Sequence, residues 1–352
     1  MKGTMKYLAG IAGPSGYGSK STAEQVTADF SSFSYSPLLS PPPPLSPSHH
    51  HHHHPITAIV TGGTSGIGAE TARVLAKRGV RVVIPARNMK KAVQVRDRIL
   101  NENPQAQILL LKIDLSSLAS VHTFSSHFLS LNLPLNILIN NAGKFSQKLE
   151  LSEDKIEMTI ATNYLGHFVL TELLLEKMVE TAEKSGIEGR IINVSSVIHT
   201  WVNPLHFSIS NMLNPPTLRH NYNGTRAYAQ SKLANILHAK ELSRQLKERN
   251  ARVTINAVHP GIVKTAIIRD HKGFITDSLY FLASKLLKSI PQGASTTCYV
   301  AVSKNTEGMS GKYFADCNES NCSTLANDEA LAKLLFDNTQ ALLHRRLRHP
   351  PL

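Results

Sequence analysis

Ala58-Ile59-Val60-Thr61-Gly62-Gly63-Thr64-Ser65-Gly66-Ile67-Gly68 joins an apolar run, a glycine turn and a helix start. In that order they set first-turn N–H groups at a helix end facing outward, a geometry that binds an anion such as phosphate. Gly62 is free to take a backbone conformation closed to larger residues. Gly66 lets the main chain approach a pyrophosphate, and Gly68 lets the following helix pack closely on its strand. The other reading is a glycine-rich turn with no ligand, and the rest of the chain decides between the two.

Outward from this stretch, short β-branched runs alternate with helical patterns. Residues 56–61, 80–84, 108–113, 135–140, 190–194 and 252–259 read as strands, and the segments between them as helices. The strands are near-continuous apolar runs, so they are expected to be buried on both faces of a parallel sheet clad by helices. The expectation is one α/β domain over residues 56–345, a Rossmann-type doubly wound sheet. Ligands in such sheets lie beyond the carboxyl ends of the strands. The polar clusters fall at those ends: Thr61-Gly62, Ala86-Arg87-Asn88, Asp114-Leu115, Asn140-Asn141-Ala142-Gly143, Ser195-Ser196 and His259-Pro260-Gly261. One long connection, from Val197 to Arg226 with Pro204, Pro215 and Pro216, reads as a loop over the site.

Residues 1–55 form a front segment rich in Ser, Pro and His, with Pro41 to Pro44 and the run His49 to His54. On composition it buries too little apolar surface to order itself and is expected to be largely disordered. The histidine run has no cysteine or carboxylate partner, so it reads as a low-complexity insert or a tag, and no metal site is expected. No apolar run is long enough to span a bilayer as a helix. The serine-rich, acid-poor front suits an organelle transit peptide but lacks its usual arginines. Three cysteines, Cys298, Cys317 and Cys322, cannot staple a fold of this size and fit a reducing compartment. A net charge of +13 admits a phosphorylated cofactor, an anionic membrane surface or nucleic acid, and no nucleic-acid motif supports the last. Leu331 to His349 spaces leucines helically beside Arg345, Arg346 and Arg348, ahead of a basic tail over 346–352. That pattern reads either as a calmodulin or anionic-lipid binding helix or as a terminal helix docked on the core.

Tyr228-Ala229-Gln230-Ser231-Lys232 sets a phenol and an ammonium four residues apart on one helical face. A phenol titrates near pH 10, and a neighbouring ammonium favours its ionised form, which would make Tyr228 a general acid/base. Together with the glycine loop, Asn140-Asn141-Ala142-Gly143 and Asn193-Val194-Ser195-Ser196, this chain resembles the short-chain dehydrogenase/reductase superfamily over about residues 56 to 345. The resemblance implies that Tyr228 is the acid/base and that Lys232 lowers its pKa while holding the nicotinamide ribose. It implies that Ser196, rather than Ser195, polarises the substrate oxygen, and that Asn163 holds a water linking the lysine to solvent. It places Gly62, Ser65, Gly66, Ile67 and Gly68 at the phosphates, Asp114 and Leu115 at the adenine, and Asn141, Ala142 and Gly143 along the cofactor. Pro260, Gly261 and Thr265 resemble the segment that orients the carboxamide. Asp114 also reads as a cap on a helix starting at Ser116.

Cofactor choice is read at the end of the second strand, where a carboxylate would accept hydrogen bonds from ribose hydroxyls. Ala86 stands there and Arg87 follows, so a 2′-phosphate and hence NADP(H) are expected. The 31 residues between Ser196 and Tyr228, the phrase Asn163-Tyr164-Leu165-Gly166-His167-Phe168 and the phrase Tyr228 to Asn235 resemble the retinol-dehydrogenase-like branch. Ser21-Thr22-Ala23-Glu24-Gln25-Val26-Thr27 is similar to the start of the plant group that serves as the short-chain dehydrogenase subunit of the chloroplast inner-envelope import translocon. The resemblance implies hydride exchange with a hydrophobic alcohol, aldehyde or ketone; the apolar segment Leu279 to Ile290 reads either as a wall of that pocket or as a packed helix. The other implication is an NADPH-binding, redox-sensing regulatory subunit of that translocon. Lys144, after the Asn-Asn-Ala-Gly phrase, stands where the branch is commonly apolar.

Overall fold

The computed structural model describes residues 7, 9–30, 56–213, 222–263 and 287–348. Its sheet runs β3-β2-β1-β4-β5-β6-β7-β8. The strands are β1 (Thr57–Val60), β2 (Arg81–Ala86), β3 (Ile108–Lys112), β4 (Ile137–Asn140), β5 (Gly189–Val194), β6 (Val253–His259), β7 (Tyr313–Ala315) and β8 (Asn318–Glu319). Every pairing is parallel except the last, where Phe314 faces Glu319. The order reverses between β1 and β4, whose register sets Ile59 beside Leu138. That reversal opens the crevice at the carboxyl ends. The fold class expected from the apolar runs is the one observed.

Alternation along each strand feeds two cores. Ile59, Val83, Leu138, Ile191 and Ile255 point to one face, under α4 (Leu118–Ser130), α5 (Gly166–Ser185), α6 (Gly224–Glu248) and α8 (Glu329–Arg348). Ala58, Val60, Val82, Ile139 and Val258 point to the other, under α2 (Gly66–Lys77), α3 (Met89–Glu102) and α7 (Ile290–Val302). All four residues of β1 are buried; truncating a side chain such as Ile59 to alanine costs about 2–5 kcal/mol. Asn88, Ser117 and Asn223 cap α3, α4 and α6 through their side-chain oxygens. Gly186, in the left-handed region at φ 67°, closes α5.

Four expectations need correcting. First, residues 9–30 are not part of an unfoldable front. Thr22 and Gln25 form a reciprocal capping box around α1 (Ala23–Val26), and Ala23 is fully buried. Glu24 bonds Arg73 at 2.7 Å and Lys77 at 2.8 Å on α2, and these cations hold its carboxyl down to about 2. Tyr17 sets its ring 5.8 Å from that of Tyr299, and Asn318 donates to the Tyr17 carbonyl at 3.0 Å. Composition averaged over 55 residues hides this short docking sequence; the proline and histidine runs lie outside the described residues. Second, α4 starts at Leu118 with Ser117 as cap, not at Ser116. Third, β7 and β8 were not anticipated, being too short to carry an apolar pattern. Fourth, the connection after Ser196 is not plain loop: it holds short helical turns at Val197–Trp201 and Pro204–His206 and a helix at Ile209–Leu213. Pro215, Pro216 and Thr265 lie outside the described residues, as does most of the Leu279–Ile290 segment. Of the two readings of the C-terminal segment, docking is observed, with Ala332, Leu335, Phe336 and Leu342 buried against the core.

Candidate active site

The glycine loop is built as a rigid cradle. Gly62 and Gly66 sit in the left-handed region, at φ 66° and 53°. A Cβ on Gly62 would come within 2.8 Å of the Ala142 Cα, and one on Gly68 within 2.4 Å of the Gly62 carbonyl and of Asn141 Nδ2. Gly68 therefore packs on the loop and on Asn141 rather than on its strand, a correction to its expected role. Thr61 ties the two loops together: its hydroxyl accepts from the Asn141 and Ala142 N–H groups at 2.8 and 3.0 Å. Asn141 Nδ2 returns a bond to the Thr61 carbonyl at 2.8 Å. The Ser65 side chain makes no capping bond to α2, and the first turn of α2 carries no acidic residue. Open N–H groups with no competing carboxylate suit a phosphate. Ile67 lies beside Gly293 of α7, where a Cβ would meet it at 3.2 Å.

Ser196 comes from the end of β5, and Tyr228 and Lys232 from the second and third turns of α6. The Ser196 hydroxyl accepts from Ile198 N–H at 3.3 Å, and its own proton has no protein acceptor among the described residues. Ser195 is buried and donates to the Lys232 carbonyl at 2.7 Å, a packing role. Lys232 is 3 % exposed, and its ammonium donates to the Val194 carbonyl at 2.8 Å while lying 5.6 Å from the centre of the Tyr228 ring. Burial of this charge lowers Lys232 to about 8. Burial likewise raises Tyr228 to about 12. The expected lowering of the phenol by the ammonium is not what the structure gives: desolvation raises Tyr228 instead.

Asn163 sits in a π turn, Ala161–Leu165, entering α5. Its side chain grips Lys144: Oδ1 accepts from the Lys144 N–H at 2.7 Å and Nδ2 donates to the Lys144 carbonyl at 2.9 Å and to Ser231 Oγ at 3.0 Å. This fixes the residue after the Asn-Asn-Ala-Gly phrase, and the neighbouring Phe145 sets its ring 5.4 Å from that of Tyr228. The Lys144 side chain turns out to Glu150 at 2.5 Å. At the outer end of the crevice, Ala86 is 4 % exposed, whereas the Arg87 side chain is 73 % exposed and 3.9 Å from Asp114. Asp114 Oδ1 accepts from the Ser116 N–H and hydroxyl in the turn before α4, whose cap is Ser117, so the expected capping role is replaced by a local turn. The Leu115 carbonyl abuts Gly166, where a Cβ would stand 2.1 Å away. Pro260 is buried, and Gly261, at φ 89°, is covered by Lys288, whose ammonium pairs with Asp316 at 2.6 Å.

Sequence reading placed Thr61 at the strand end without its role of tying the two loops, missed Phe145 as part of the site, and used His167 only as part of a phrase. Thr61 ends the most telling strand, and a hydroxyl at that point was the available signal. Nothing local marks Phe145, which meets Tyr228 from 83 residues away in the chain.

A family model described as short chain dehydrogenase matches residues 56–206. The chain is 47% identical to the chloroplastic short-chain dehydrogenase TIC 32 B of Brassica napus over 94% of this chain and 95% of that protein. The chain belongs to the short-chain dehydrogenase family. Human retinol dehydrogenase 11 is 39% identical over 81% of the chain and 85% of that protein. Among solved structures, the Pseudomonas aeruginosa RhlG/NADP active-site complex superposes with a TM-score of 0.58 at 21% identity, covering 79% of this chain and 96% of that one, a likeness of fold. Members of this family are oxidoreductases that bind a nicotinamide cofactor. The cradle fits such a group, since Gly62 and Gly66 leave no side chain against the anion and Ser65 keeps its hydroxyl uncommitted.

Proposed function

We propose that this short-chain dehydrogenase interconverts a hydrophobic alcohol and its aldehyde or ketone with NADP(H). The observation that carries the reading is a phenol and a buried ammonium on one face of α6, beside the strand end that presents Ser196. When bound, the nicotinamide supplies or takes up the hydride at the substrate carbon. In reduction, Ser196 donates a hydrogen bond to the carbonyl oxygen and Tyr228 gives that oxygen its proton. The oxidative direction reverses both transfers. Lys232, charged and anchored on Val194, stabilises the phenolate that Tyr228 becomes. Phe145, its ring edge-on to that of Tyr228, covers one side of the phenol. The Asn163 side chain, spent on Lys144 and Ser231, positions the wall beside Tyr228; any water it holds is held through its backbone.

The preference for NADP(H) rests on Ala86 and Arg87. Ala86 offers no carboxylate to ribose hydroxyls, and the exposed Arg87 guanidinium is available to a 2′-phosphate. Pro260 and Gly261 would face the carboxamide, and Asp114 and Leu115 the adenine. The test is NADPH absorbance followed against retinoid, steroid and aliphatic carbonyls; no turnover with any of them while NADPH still binds would overturn the enzyme reading.

That outcome would favour a second reading, drawn from the likeness to a chloroplastic TIC 32 protein: an NADPH-binding, redox-sensing subunit of the chloroplast import translocon, associated with the inner envelope. In this reading a calmodulin or anionic-membrane contact would use the basic side of α8, where Arg345 is exposed. The apolar stripe of α8 is spent in the core, so capture of the whole helix by calmodulin requires undocking. Calcium–calmodulin titration of the full chain against Arg345→Glu decides it, equal or absent binding removing the contact.

A further inference from the structure

His167 is 2 % exposed and stands between the cofactor loop and the turn carrying Asn163, with no part in the chemistry above. Its hydrogen bonds determine its protonation. Nδ1 lies 3.0 Å from the Asn163 carbonyl, which only accepts, so Nδ1 carries a proton. Burial pulls His167 down to about 4, with Lys232 contributing, so the ring is neutral and Nε2 is bare. Nε2 is 2.8 Å from the Thr61 hydroxyl. That hydroxyl already accepts from the Asn141 and Ala142 N–H groups, which fills both lone pairs and leaves its proton to donate. It has two acceptors in range, His167 Nε2 at 2.8 Å and the Ile139 carbonyl at 3.2 Å, and the ring is the nearer.

We propose that His167 is a positioning residue that couples the phosphate loop to the substrate side of the site. A continuous line of hydrogen bonds runs from Thr61 through the His167 ring to the Asn163 backbone, and the Asn163 side chain carries it to Lys144. Phe145, next in the chain, leans on Tyr228. The π turn makes the link: an i→i−5 bond from the Gly166 N–H to the Ala161 carbonyl widens the helix where Asn163 presents both its carbonyl and its side chain. The two nitrogens of the His167 ring thereby brace two walls of one site, Nε2 the phosphate loop and Nδ1 the turn that carries the wall of the phenol, so the two halves of the ring serve different steps. This inference rests on the reading of Thr61 to Gly68 and Tyr228 as one site.

Two variants of the full chain divide the ring's roles. His167→Asn places an amide near the Nδ1 position and keeps a donor for the Asn163 carbonyl, but does not reach Thr61. His167→Gln reaches Thr61 with an acceptor and leaves the Asn163 carbonyl without its donor. NADPH affinity is measured by fluorescence titration, kcat with the best carbonyl of the substrate panel, and Tm in parallel. The expectation is a Kd for NADPH weakened about fivefold in His167→Asn, the size of one lost hydrogen bond, with kcat near that of the wild type. In His167→Gln the pattern inverts: kcat falls by a similar factor and Kd holds. If both variants bind NADPH and turn over like the wild type with only Tm lowered, or if each variant loses both properties to the same extent, His167 is a packing residue and the coupling is wrong. If the wild type itself binds no NADPH, the functional reading falls and this one with it. If it binds NADPH without turnover, an unchanged Kd in His167→Asn still overturns the coupling.

Discussion

Tyr228 with Lys232 and Asn163 with His167 are two pairs spaced four residues apart on neighbouring helical segments, and they are built in opposite ways. The second pair is saturated: the Asn163 side chain makes bonds at 2.7, 2.9 and 3.0 Å, and both ring nitrogens of His167 have partners. The first pair is kept short. The Tyr228 hydroxyl has no hydrogen-bond partner among the described residues, and Lys232 has one carbonyl for an ammonium with three protons. Satisfied buried networks are rigid and specify one geometry. The Tyr228 side chain is only partly buried, so its hydroxyl is open to a ligand, and perturbed proton affinities concentrate at such positions. The contrast separates side chains whose bonds are spent on the fold from side chains left open to a ligand.

Removing the phenolic oxygen tests the contrast most severely. Tyr228→Phe is expected to lower kcat by about a hundredfold to ten-thousandfold with NADPH affinity and Tm near wild type; a matching fall in Tm would mean that Tyr228 is structural like Asn163. Breaking the saturated pair should look different. Asn163→Ala strips the Lys144 backbone of both partners at a cost of about 2–4 kcal/mol in stability, read by denaturant unfolding, with activity falling as a consequence.

The lysine sharpens the comparison through pH. Lys232 is lowered to about 8, so it loses its charge as pH rises through that value, and with it the stabilisation of the phenolate. The kcat/KM for carbonyl reduction is therefore expected to decline above about pH 8. In Lys232→Arg, whose charge persists, that limb should move to higher pH. Arg87→Ala bears on the cofactor alone, and should cut the preference for NADPH over NADH by about tenfold in paired titrations.

The smallest effect belongs to the front segment. Glu24→Ala removes two half-exposed ion pairs to α2 and should cost about 0.5–1 kcal/mol in chemical denaturation. The pH dependence has a definite sign. Because the folded carboxyl is held down to about 2, below its unfolded value, its contribution is present above the unfolded pKa and is lost as pH falls toward 2.

Much of the domain was legible as one-dimensional pattern. Buried parallel strands are continuous apolar runs, and Ile59 or Leu138 announces itself whatever lies across the sheet. Turn glycines and caps such as Gly62 and Asn223 act on their own neighbours, so their meaning is local too. The same locality misled in places. Residues 9–30 looked unfoldable because their stability comes from Arg73, Tyr299 and Asn318, all distant in sequence. The tyrosine–lysine pair was visible, but its electrostatics were not, since the desolvation that raises Tyr228 and lowers Lys232 depends on everything packed around them.

Sequence alone determined the parallel strands β1 to β6 with the helices between them, the glycine turn at the end of β1 and the family, because each depends on the conformational range or chemistry of a few adjacent residues. Tertiary structure decided which hydroxyl ties the two loops, which carbonyl accepts the lysine's hydrogen bond, and which ring lies against the phenol. Those choices are hydrogen bonds and contacts between residues tens to more than a hundred positions apart, and their energies exist only once folding has excluded water from between them.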